Sequence, residues 1–259
     1  IWDTELNSQD AMSIYNQGVP SNITTQPSSG NLVGWWRMGD GDTYPTVKDH
    51  SGQGNDGTMT NMTGNAIVPT YPNFNKNAVS FDGVDDGINL GNKYAFDSID
   101  PFSTSIWIKT PATATTRTLF RNTEPGPAYT GWLLRLESSG TLSFLLVADM
   151  GTTDVLNLVS PTTYDDNEWH HVIVTYSGNK SASGVKFYID GVNASFNVTT
   201  DSLVGSTVSS ANMILGNEML ASNYFDGLLD EASIWNKALT SAEVSTVYSG
   251  NTQIDLKKT

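Results

Sequence analysis

The sequence is poor in several residues that particular functions require. It contains no cysteine, three histidines and 13 lysines and arginines among its 259 residues, for a formal net charge of −14. Without cysteine there is no disulfide framework, zinc–thiolate site or cysteine nucleophile. Because phosphate contacts need clustered lysine and arginine, the chain is not expected to bind nucleic acid. No apolar run reaches the roughly 18–20 residues that span a bilayer, so no transmembrane segment is expected.

Glutamate is scarce as well. The chain has seven glutamates against 20 aspartates, and charged residues make up only 15% of it. Aspartate competes with the helical backbone for hydrogen bonds, whereas glutamate does not, so this balance disfavours helix. Together with 23 glycines it predicts strands joined by many turns. Seven tryptophans, 10 tyrosines and nine phenylalanines supply a core, so disorder is not expected.

The most informative feature that is present is an internal repeat. Residues 1–15, IWDTELNSQDAMSIY, return as residues 234–248, IWNKALTSAEVSTVY. Both copies predict the end of a strand followed by a short helix with a polar cap. We therefore predict that residues 1–20 are the C-terminal strand and short helix of a preceding repeat unit in a tandem array. The alternative is a segment donated to the sheet of a neighbouring subunit.

The rest of the sequence divides by composition. Residues 21–30 are rich in proline, serine, threonine and glycine and predict an exposed linker. Residues 31–250 alternate short apolar runs with turn signals, six of them Asp-Gly pairs, which indicates a β-sandwich or barrel. Residues 251–259 predict a tail or linker. Ile1 is neither an initiator methionine nor the start of a signal peptide, which favours a fragment or a processed product.

Within residues 32–250, seven motifs occur in a fixed order and together resemble the laminin-G-like branch of the concanavalin A-like lectin/glucanase superfamily. The motifs are GWWRM at 34–38, DHSGQGNDG at 49–57, VSFDG at 79–83, SIWI at 105–108, EWHHV at 168–172, VKFYIDG at 185–191, and FDGLLDE at 225–231 followed by IWNKAL at 234–239. A narrower variant, WWRMGDGD at 35–42 with GTMTNM at 57–62, is also similar to units of marine bacteriophage structural proteins and bacterial adhesins.

The resemblance implies an all-β fold, a jelly-roll sandwich of two antiparallel sheets whose first and last strands lie side by side. It implies a non-catalytic carbohydrate-binding or adhesion module within a larger repetitive protein at the cell surface, virion surface or cell exterior. The superfamily's glucanases carry two glutamates and an aspartate alternating along one strand, which this sequence lacks, so we predict no enzyme activity. Its partners would be a glycan or neighbouring protein subunits, and a structural or assembly domain without a glycan ligand is the alternative.

The resemblance also implies a structural calcium ion. Family members hold one between the loop after the first strand and the last strand, and the matching positions here are Asp49, Asn55 and Asp230, with backbone carbonyls near Gly52. Carboxylate, amide and carbonyl oxygens are the ligands that calcium takes. The competing interpretation is that Asp49 and Asp56 cap turns by accepting bonds from nearby N–H groups.

Two loops are candidates for ligand binding. Lectins stack an aromatic ring on a sugar and bond its hydroxyls with amides and carboxylates. The loops span residues 121–132 and 217–224, and their predicted ligand-binding residues are Arg121, Glu124, Tyr129, Asn217 and Tyr224. Tyr129 is expected to be exposed. Trp132 and Tyr224 can also be interpreted as core residues at strand starts, and we favour that interpretation for Trp132. The three histidines are scattered and predict no catalytic triad.

Overall fold

The computed structural model describes residues 29–69, 77–217 and 223–250. The predicted repeat ending at residues 1–20, most of the linker at residues 21–30 and the predicted tail at residues 251–259 lie outside the described residues. None of the helices in the described part of the chain is long and apolar enough to cross a membrane.

The described chain is built almost entirely of strands. They are β1 Leu32–Trp36, β2 Thr46–Val47, β3 Gly57–Thr60, β4 Ile67–Pro69, β5 Asn77–Asp82, β6 Gly87–Asn89, β7 Phe102–Lys109, β8 Arg117–Thr123, β9 Gly131–Leu136, β10 Thr141–Asp149, β11 Asp154–Thr163, β12 His170–Tyr176, β13 Val185–Ile189, β14 Val192–Ala194, β15 Asn197–Asp201, β16 Ile214–Leu215 and β17 Asp226–Trp235. Helix α1 is Ser241–Gly250, and short 3₁₀ turns lie at Ser29–Asn31, Gly64–Ala66, Met150–Thr152 and Ala182–Gly184.

The strands form two antiparallel sheets. Sheet A has the order β14-β13-β12-β7-β17-β5-β4, with β1 also paired to β17, and sheet B has the order β15-β11-β10-β9-β8-β16-β6-β3-β2. Both sheets contribute buried side chains to one main core. The predicted all-β sandwich of two antiparallel sheets is therefore confirmed.

The core forms because alternate residues of each strand point to the same side. In β9, Trp132 and Leu134 face the other sheet, and both are fully buried. The indole nitrogen of Trp132 donates to the carbonyl of Tyr94 at 2.8 Å, so its polar atom is satisfied. Burying one such side chain contributes roughly 1.5–3 kcal/mol to the hydrophobic stabilisation. The interpretation of Trp132 as a core residue is confirmed.

The first and last strands of the described fold lie side by side. β1 pairs antiparallel with β17, which places Leu32 opposite Trp235 and Trp36 opposite Ala232. β17 also pairs with β5 and β7. A strand from the end of the chain thus holds three earlier strands in one sheet, as expected from the resemblance.

Helix α1 covers the outer face of sheet A. Its Val244 and Val247 are buried in a second apolar cluster that includes Trp35 and Ile173 of the sheet. The helix begins with a reciprocal capping box, in which the Glu243 carboxylate accepts from Thr240 N at 2.9 Å and the Thr240 hydroxyl accepts from Glu243 N at 3.3 Å. The short helix predicted for this repeated ending is confirmed.

Near its C-terminal end the helix adds a stack of rings to this face. The Tyr248 ring lies 6.0 Å from Trp107 and 5.6 Å from His171, nearly parallel to both. The ring also lies over the turn between β13 and β14, where Gly191 has a φ of +77°. A Cβ atom at Gly191 would come within 2.4 Å of Tyr248 Cδ1. Glycine at this turn is needed for both its conformation and its size.

We expect Gly191→Ala to lower the free energy of unfolding by about 2–4 kcal/mol, because left-handed strain adds to a clash with a packed ring. The matched control is Gly54→Ala, at a φ of +71° with nothing within 4 Å of the added Cβ. Urea unfolding followed by tryptophan fluorescence measures both. Equal losses in the two variants would show that Tyr248 does not press on this turn.

Candidate functional site

The first candidate loop is shorter than predicted. Arg121 does not lie on a loop: it is within β8, its side chain is fully buried, and its Nε donates to the Thr123 hydroxyl at 2.9 Å. A second guanidinium nitrogen donates to the Thr123 carbonyl at 2.7 Å. The predicted loop position of Arg121 is therefore wrong. Strand β8 is buried along its whole length, and its residues do not alternate in polarity in a way that predicts this.

The other two residues predicted in this loop hold it in place. The Glu124 carboxylate accepts from the backbone N–H of Ser210 at 2.6 Å and from its hydroxyl at 2.7 Å. These bonds to Ser210 lower the pKa of Glu124. Tyr129 is half-buried rather than exposed, because its ring packs against a cluster that includes Leu133 and Leu145. Both contacts are internal: they use one carboxylate oxygen of Glu124 and part of the Tyr129 ring.

The second candidate loop lies at the other end of β8. Its first residue, Asn217, follows β16 and donates its side-chain amide to the Asp85 carbonyl at 3.4 Å. Asn223 accepts from Thr118 N at 3.1 Å through its carbonyl, and Tyr224 is half-buried. Residues 218–222 lie outside the described residues. Since the first loop follows Thr123 and this one lies beside Thr118, the two candidate loops do not form one site.

Beside Asn217 the structure contains a cavity that the sequence analysis did not identify. It lies between the segment that connects β3 to β4 and the turn that connects β5 to β6, at the rim of the sandwich. Its volume is about 200 Å³. Its lining residues are Asn61, Met62, Thr63, Asn65, Ala66, Ser80, Asp82 and Asp86.

The acidic side chains that line this cavity, Asp82 and Asp86, flank one turn, and Asp85 of that turn lies beside them without lining the cavity. The carboxylates of Asp82, Asp85 and Asp86 have ligand atoms within 4.8 Å of one another, and none of the three forms an ion pair with a described residue. Asp82 accepts from Val84 N at 2.8 Å, and Asp86 accepts from Asp82 N at 2.9 Å. The turn is therefore held by its own carboxylates, as an aspartate-rich turn requires.

Among the residues that line the cavity, Asp86 is the one whose pKa is shifted. Its side chain is only 6% exposed. Burial raises the pKa of Asp86, and the neighbouring charges of Asp82 and Asp85 raise it further, while the bond from Asp82 N opposes the shift. A buried carboxylate with like charges beside it is costly, and such groups concentrate at binding sites.

The oxygens of two residues implied as calcium ligands, Asp49 and Asn55, accept bonds from protein groups in the structure. Both oxygens of Asp49 accept backbone N–H bonds, from Trp35 at 3.1 Å, from Ser51 at 2.8 Å and from Asn55 at 2.8 Å. The side-chain oxygen of Asn55 accepts from the Lys93 ammonium at 2.5 Å, where a cation would be repelled.

Asp230, the third residue of that implied set, lies on a different strand. It belongs to β17, opposite Trp107, and it is 3% exposed. One of its carboxylate oxygens accepts from the backbone N–H of Glu231 at 2.8 Å. The turn-capping interpretation of Asp49 fits the structure, and the implied donor set does not fit calcium.

A serine–histidine pair in sheet A does not form a catalytic triad. Ser105 Oγ lies 2.7 Å from His171 Nε2, but Nδ1 of the same ring is buried without a hydrogen-bond partner. Complete burial lowers the pKa of His171 to about 3, which is far below that of an effective base at neutral pH. The ring is also covered by Tyr248. The pair is part of the packing beneath helix α1.

Comparison with known proteins identifies one matching family. A laminin-G family model, described as "Concanavalin A-like lectin/glucanases superfamily", matches residues 82–245. No curated protein matches the chain in sequence.

Several solved structures share the fold. The binding domain of Paraclostridial Mosquitocidal Protein 1 superposes with a TM-score of 0.64 at 18% identity, over 85% of this chain and 52% of that one. The binding domain of Botulinum neurotoxin DC, solved in complex with rat synaptotagmin II, gives a TM-score of 0.64 at 15% identity, over 87% and 52%. The chain thus spans about half the length of these two domains.

A third structure matches over nearly its whole length. It is domain 4 of AbnA, a GH43 extracellular arabinanase from Geobacillus stearothermophilus, in complex with arabinotriose. The TM-score is 0.57 at 22% identity, over 84% of this chain and 98% of that one. At these identities the likeness establishes the fold alone.

We expect Asp86→Asn to raise the melting temperature at pH 7, because it removes a buried charge and keeps an oxygen that can accept from Asp82 N. The folded-state pKa of Asp86 lies above the unfolded value of about 3.9, so its ionisation destabilises the fold as the pH rises through the folded-state pKa. The gain should therefore shrink as the pH falls below about 4, where the wild-type carboxyl is protonated in both states.

Differential scanning calorimetry from pH 3 to pH 8 measures this effect. Asp149→Asn is the control, because it removes one negative charge from a carboxylate that only accepts from Gly151 N at the other end of the sandwich. A loss of stability at pH 7 in Asp86→Asn alone would contradict the burial argument.

For calcium, we expect EDTA to leave the melting temperature unchanged, since the oxygens of Asp49 and Asn55 already accept from protein groups. A fall in melting temperature that calcium chloride reverses, and that Asp49→Asn abolishes, would show that the implied site binds calcium after all.

Proposed function

We propose that this chain, which belongs to the concanavalin A-like lectin/glucanases superfamily, is a non-catalytic module that binds neutral carbohydrate in the rim cavity beside Asp86. The observation that carries the proposal is the cavity's lining. Amides, hydroxyls and carboxylates converge there on a space of about 200 Å³.

The lining supplies the bonds that a sugar needs. A sugar hydroxyl both donates and accepts. The side-chain amide of Asn65 can do the same, and the carboxylates of Asp82 and Asp86 accept. Asn61 offers its side-chain oxygen as an acceptor, since its side-chain nitrogen donates to the Asp85 carbonyl at 3.1 Å. Met62 adds an apolar part to the wall. A few polar groups around an apolar patch are the usual composition of a small-molecule site.

The volume and the charge of the cavity restrict the class of ligand. The cavity is smaller than the roughly 300–1,000 Å³ of sites for drug-sized ligands, so it suits one sugar ring rather than an oligosaccharide. Three carboxylates within 4.8 Å give it a negative potential. Neutral sugars should therefore bind, and anionic ones such as sialic or uronic acids should be repelled.

Two observations support the proposal that the module binds its ligand without hydrolysing it. Glycosidases place two carboxyl groups about 5–9.5 Å apart on opposite sides of the bond that is cut. Here the two lining carboxylates, Asp82 and Asp86, flank one turn and lie within 4.8 Å of each other. Among the similar structures, one is a binding domain and another is a domain solved with arabinotriose, which also favours a binding role.

The proposal also covers where the module is located. Two of the similar domains belong to a neurotoxin and to an extracellular enzyme. We infer an extracellular, cell-surface or virion-surface position within a larger repetitive protein. A one-ring site without an aromatic platform among its lining residues binds weakly, and repeated copies would raise the overall affinity through avidity.

An assembly role without a glycan is the second candidate. It is favoured by the repeated ending at residues 1–15 and 234–248, and by the fact that one similar domain was solved with a protein ligand, synaptotagmin II. The two candidates differ in what the isolated module binds, because only the first requires the cavity.

A glycan panel separates them, with arabinotriose and neutral hexose and pentose oligosaccharides as probes and sialylated and uronic acid glycans as the anionic comparison. We expect millimolar to micromolar binding of neutral members only. Asn65→Ala and Asp86→Asn should each weaken it about tenfold, since one lost hydrogen bond to a charged or paired group costs about 1.5 kcal/mol.

Isothermal titration calorimetry or ligand-observed NMR gives the affinities, and Asp149→Asn controls for the change in net charge. Binding that both cavity variants leave intact would place the ligand elsewhere. The lack of binding to every probe would leave the assembly role.

A further inference from the structure

We propose that His170 forms a pH-dependent clasp, in which its protonated imidazole ring joins the connection between β11 and β12 to the turn between β13 and β14. The clasp consists of Asp166, His170 and Asp190. It holds while both ring nitrogens carry a proton, and it opens at Asp166 when one proton is lost. The clasp is independent of the proposed function, because none of its three residues lines the cavity.

Both nitrogens of the His170 ring face a carboxylate. Nδ1 lies 3.1 Å from Oδ2 of Asp190, which stands in the turn between β13 and β14. Nε2 lies 3.2 Å from Oδ1 of Asp166, which belongs to the connection between β11 and β12. One ring therefore bridges two separate parts of the chain.

This geometry fits the charged form of the ring. A neutral imidazole has one N–H donor and one nitrogen that only accepts, and an ionised carboxylate only accepts. A neutral His170 would therefore point a nitrogen lone pair at one of the two carboxylate oxygens. An imidazolium donates from both nitrogens and satisfies both contacts.

A proton on one of the carboxyl groups would be the alternative. The side chains of Asp166 and Asp190 are 57% and 40% exposed, so water stabilises their negative charges. Burial raises the pKa of each, but bonds from backbone N–H groups and from His170 outweigh burial and lower both pKa values. The proton therefore belongs to the ring.

The neighbouring elements bring no competing charge to the ring. The Tyr164 ring meets that of His170 edge-on, with centroids 5.3 Å apart, and burial raises the pKa of Tyr164, so it is neutral. On β7 the residue paired with His170 is the apolar Ile108. Its neighbour Lys109 forms no ion pair with a described residue.

The charged residues of the connection are also accounted for. Asp165 forms an ion pair with Arg117 at 3.1 Å. Glu168 is exposed, and its backbone N–H donates to Asp166 Oδ1 at 2.9 Å. Next to the clasp on β12, burial lowers the pKa of His171 to about 3, so that ring carries no charge at neutral pH. The two carboxylates of the clasp therefore set the protonation of its ring.

The pKa of His170 gives the direction in which the clasp responds to pH. Burial of the ring lowers it, but the bonds and charges of Asp190 and Asp166 outweigh burial and raise it above the ordinary value of about 6.5. Because the folded-state pKa exceeds the unfolded-state value, the clasp contributes fully below about pH 6.5. Its contribution is lost as the pH rises through the folded-state pKa.

The neutral ring keeps one N–H donor, and it keeps that donor toward Asp190. This carboxylate is the less exposed of the two, and its other oxygen accepts from His171 N at 2.9 Å. The N–H of Asp190 in turn donates to the His171 carbonyl at 2.9 Å, which fixes the turn to β12. Loss of a proton therefore leaves Nε2 as an acceptor that is repelled by the carboxylate of Asp166.

Opening of the clasp changes the structure locally. The turn keeps its bonds to β12, so Gly191 stays in place beneath Tyr248 of helix α1. The connection keeps the backbone bond from Asn167 N to the Thr110 carbonyl at 3.0 Å. We therefore expect residues 164–169 to loosen in alkaline solution while the sandwich stays folded.

The ring protonation is tested by long-range ¹H–¹⁵N NMR spectra of the histidine rings, recorded from about pH 5 to pH 9. We expect His170 to titrate above about pH 6.5, with both nitrogens protonated at low pH and a proton on Nδ1 alone at high pH. Asp166→Asn and Asp190→Asn should each lower the pKa of His170. The matched control, Asp149→Asn, removes one charge from a carboxylate that accepts from Gly151 N and should leave it unchanged.

The opening is tested by amide hydrogen exchange, with each rate divided by the intrinsic rate at that pH. In the wild type, the amides of Asn167 and Glu168 should exchange about tenfold faster above the pKa of His170 than below it, the change that corresponds to one hydrogen bond to a charged group. His170→Gln, which cannot be charged, should exchange fast at every pH. His50→Gln removes a different histidine and should behave like the wild type.

Two results would overturn the proposal. One is a pKa of His170 at or below about 6.5, or one that both aspartate variants leave unchanged, because the ring would then not be held charged between two carboxylates. The other is exchange in residues 164–169 that does not change as the ring titrates, because the contact would then hold nothing closed. The NMR titration decides the first point even where a variant fails to fold, and neither result bears on glycan binding.

Discussion

Strand β17 is the element on which the rest of the described fold depends. It pairs with β1, β5 and β7, and so joins the beginning, the middle and the end of the unit in one sheet. Its N-terminal end holds the acidic turn, since Asp226 lies opposite Asp82 and the Phe225 carbonyl accepts from Gly83 N at 3.0 Å. Its C-terminal end leads into the segment that covers sheet A.

The two ends of β17 contact different parts of the fold. Near its N-terminal end lies the cavity in which Asp86 is buried beside like charges. This burial costs stability, as is usual for a residue of a binding site, and agrees with the proposed function. At the other end the contacts are apolar and aromatic, and they close the sheet.

Much of the fold could be predicted from the sequence because alternation is a local signal. In β13 the apolar residues Val185, Phe187 and Ile189 stand at every second position, which is the pattern that predicts a strand. In the ten-residue strand β11, Pro161 and several polar residues interrupt such a pattern, and the pairing with β10 overrides them.

The cavity could not be predicted in the same way. Its walls come from residues 61–66 and 80–86, which only the fold brings together. Asn217 was the one predicted ligand-binding residue that lies beside it, through its bond to the Asp85 carbonyl. The bond from Lys93 to Asn55, which argues against calcium there, joins positions 38 residues apart and has no local signal.

The most direct test of the account is a map of where a sugar binds. In a ¹H–¹⁵N NMR titration with a neutral glycan that the module binds, the account predicts the largest shift changes at the side-chain amides of Asn61 and Asn65 and at the backbone amide of Asp86. Shift changes confined to residues 124–130, or to the outer face of sheet A, would contradict it.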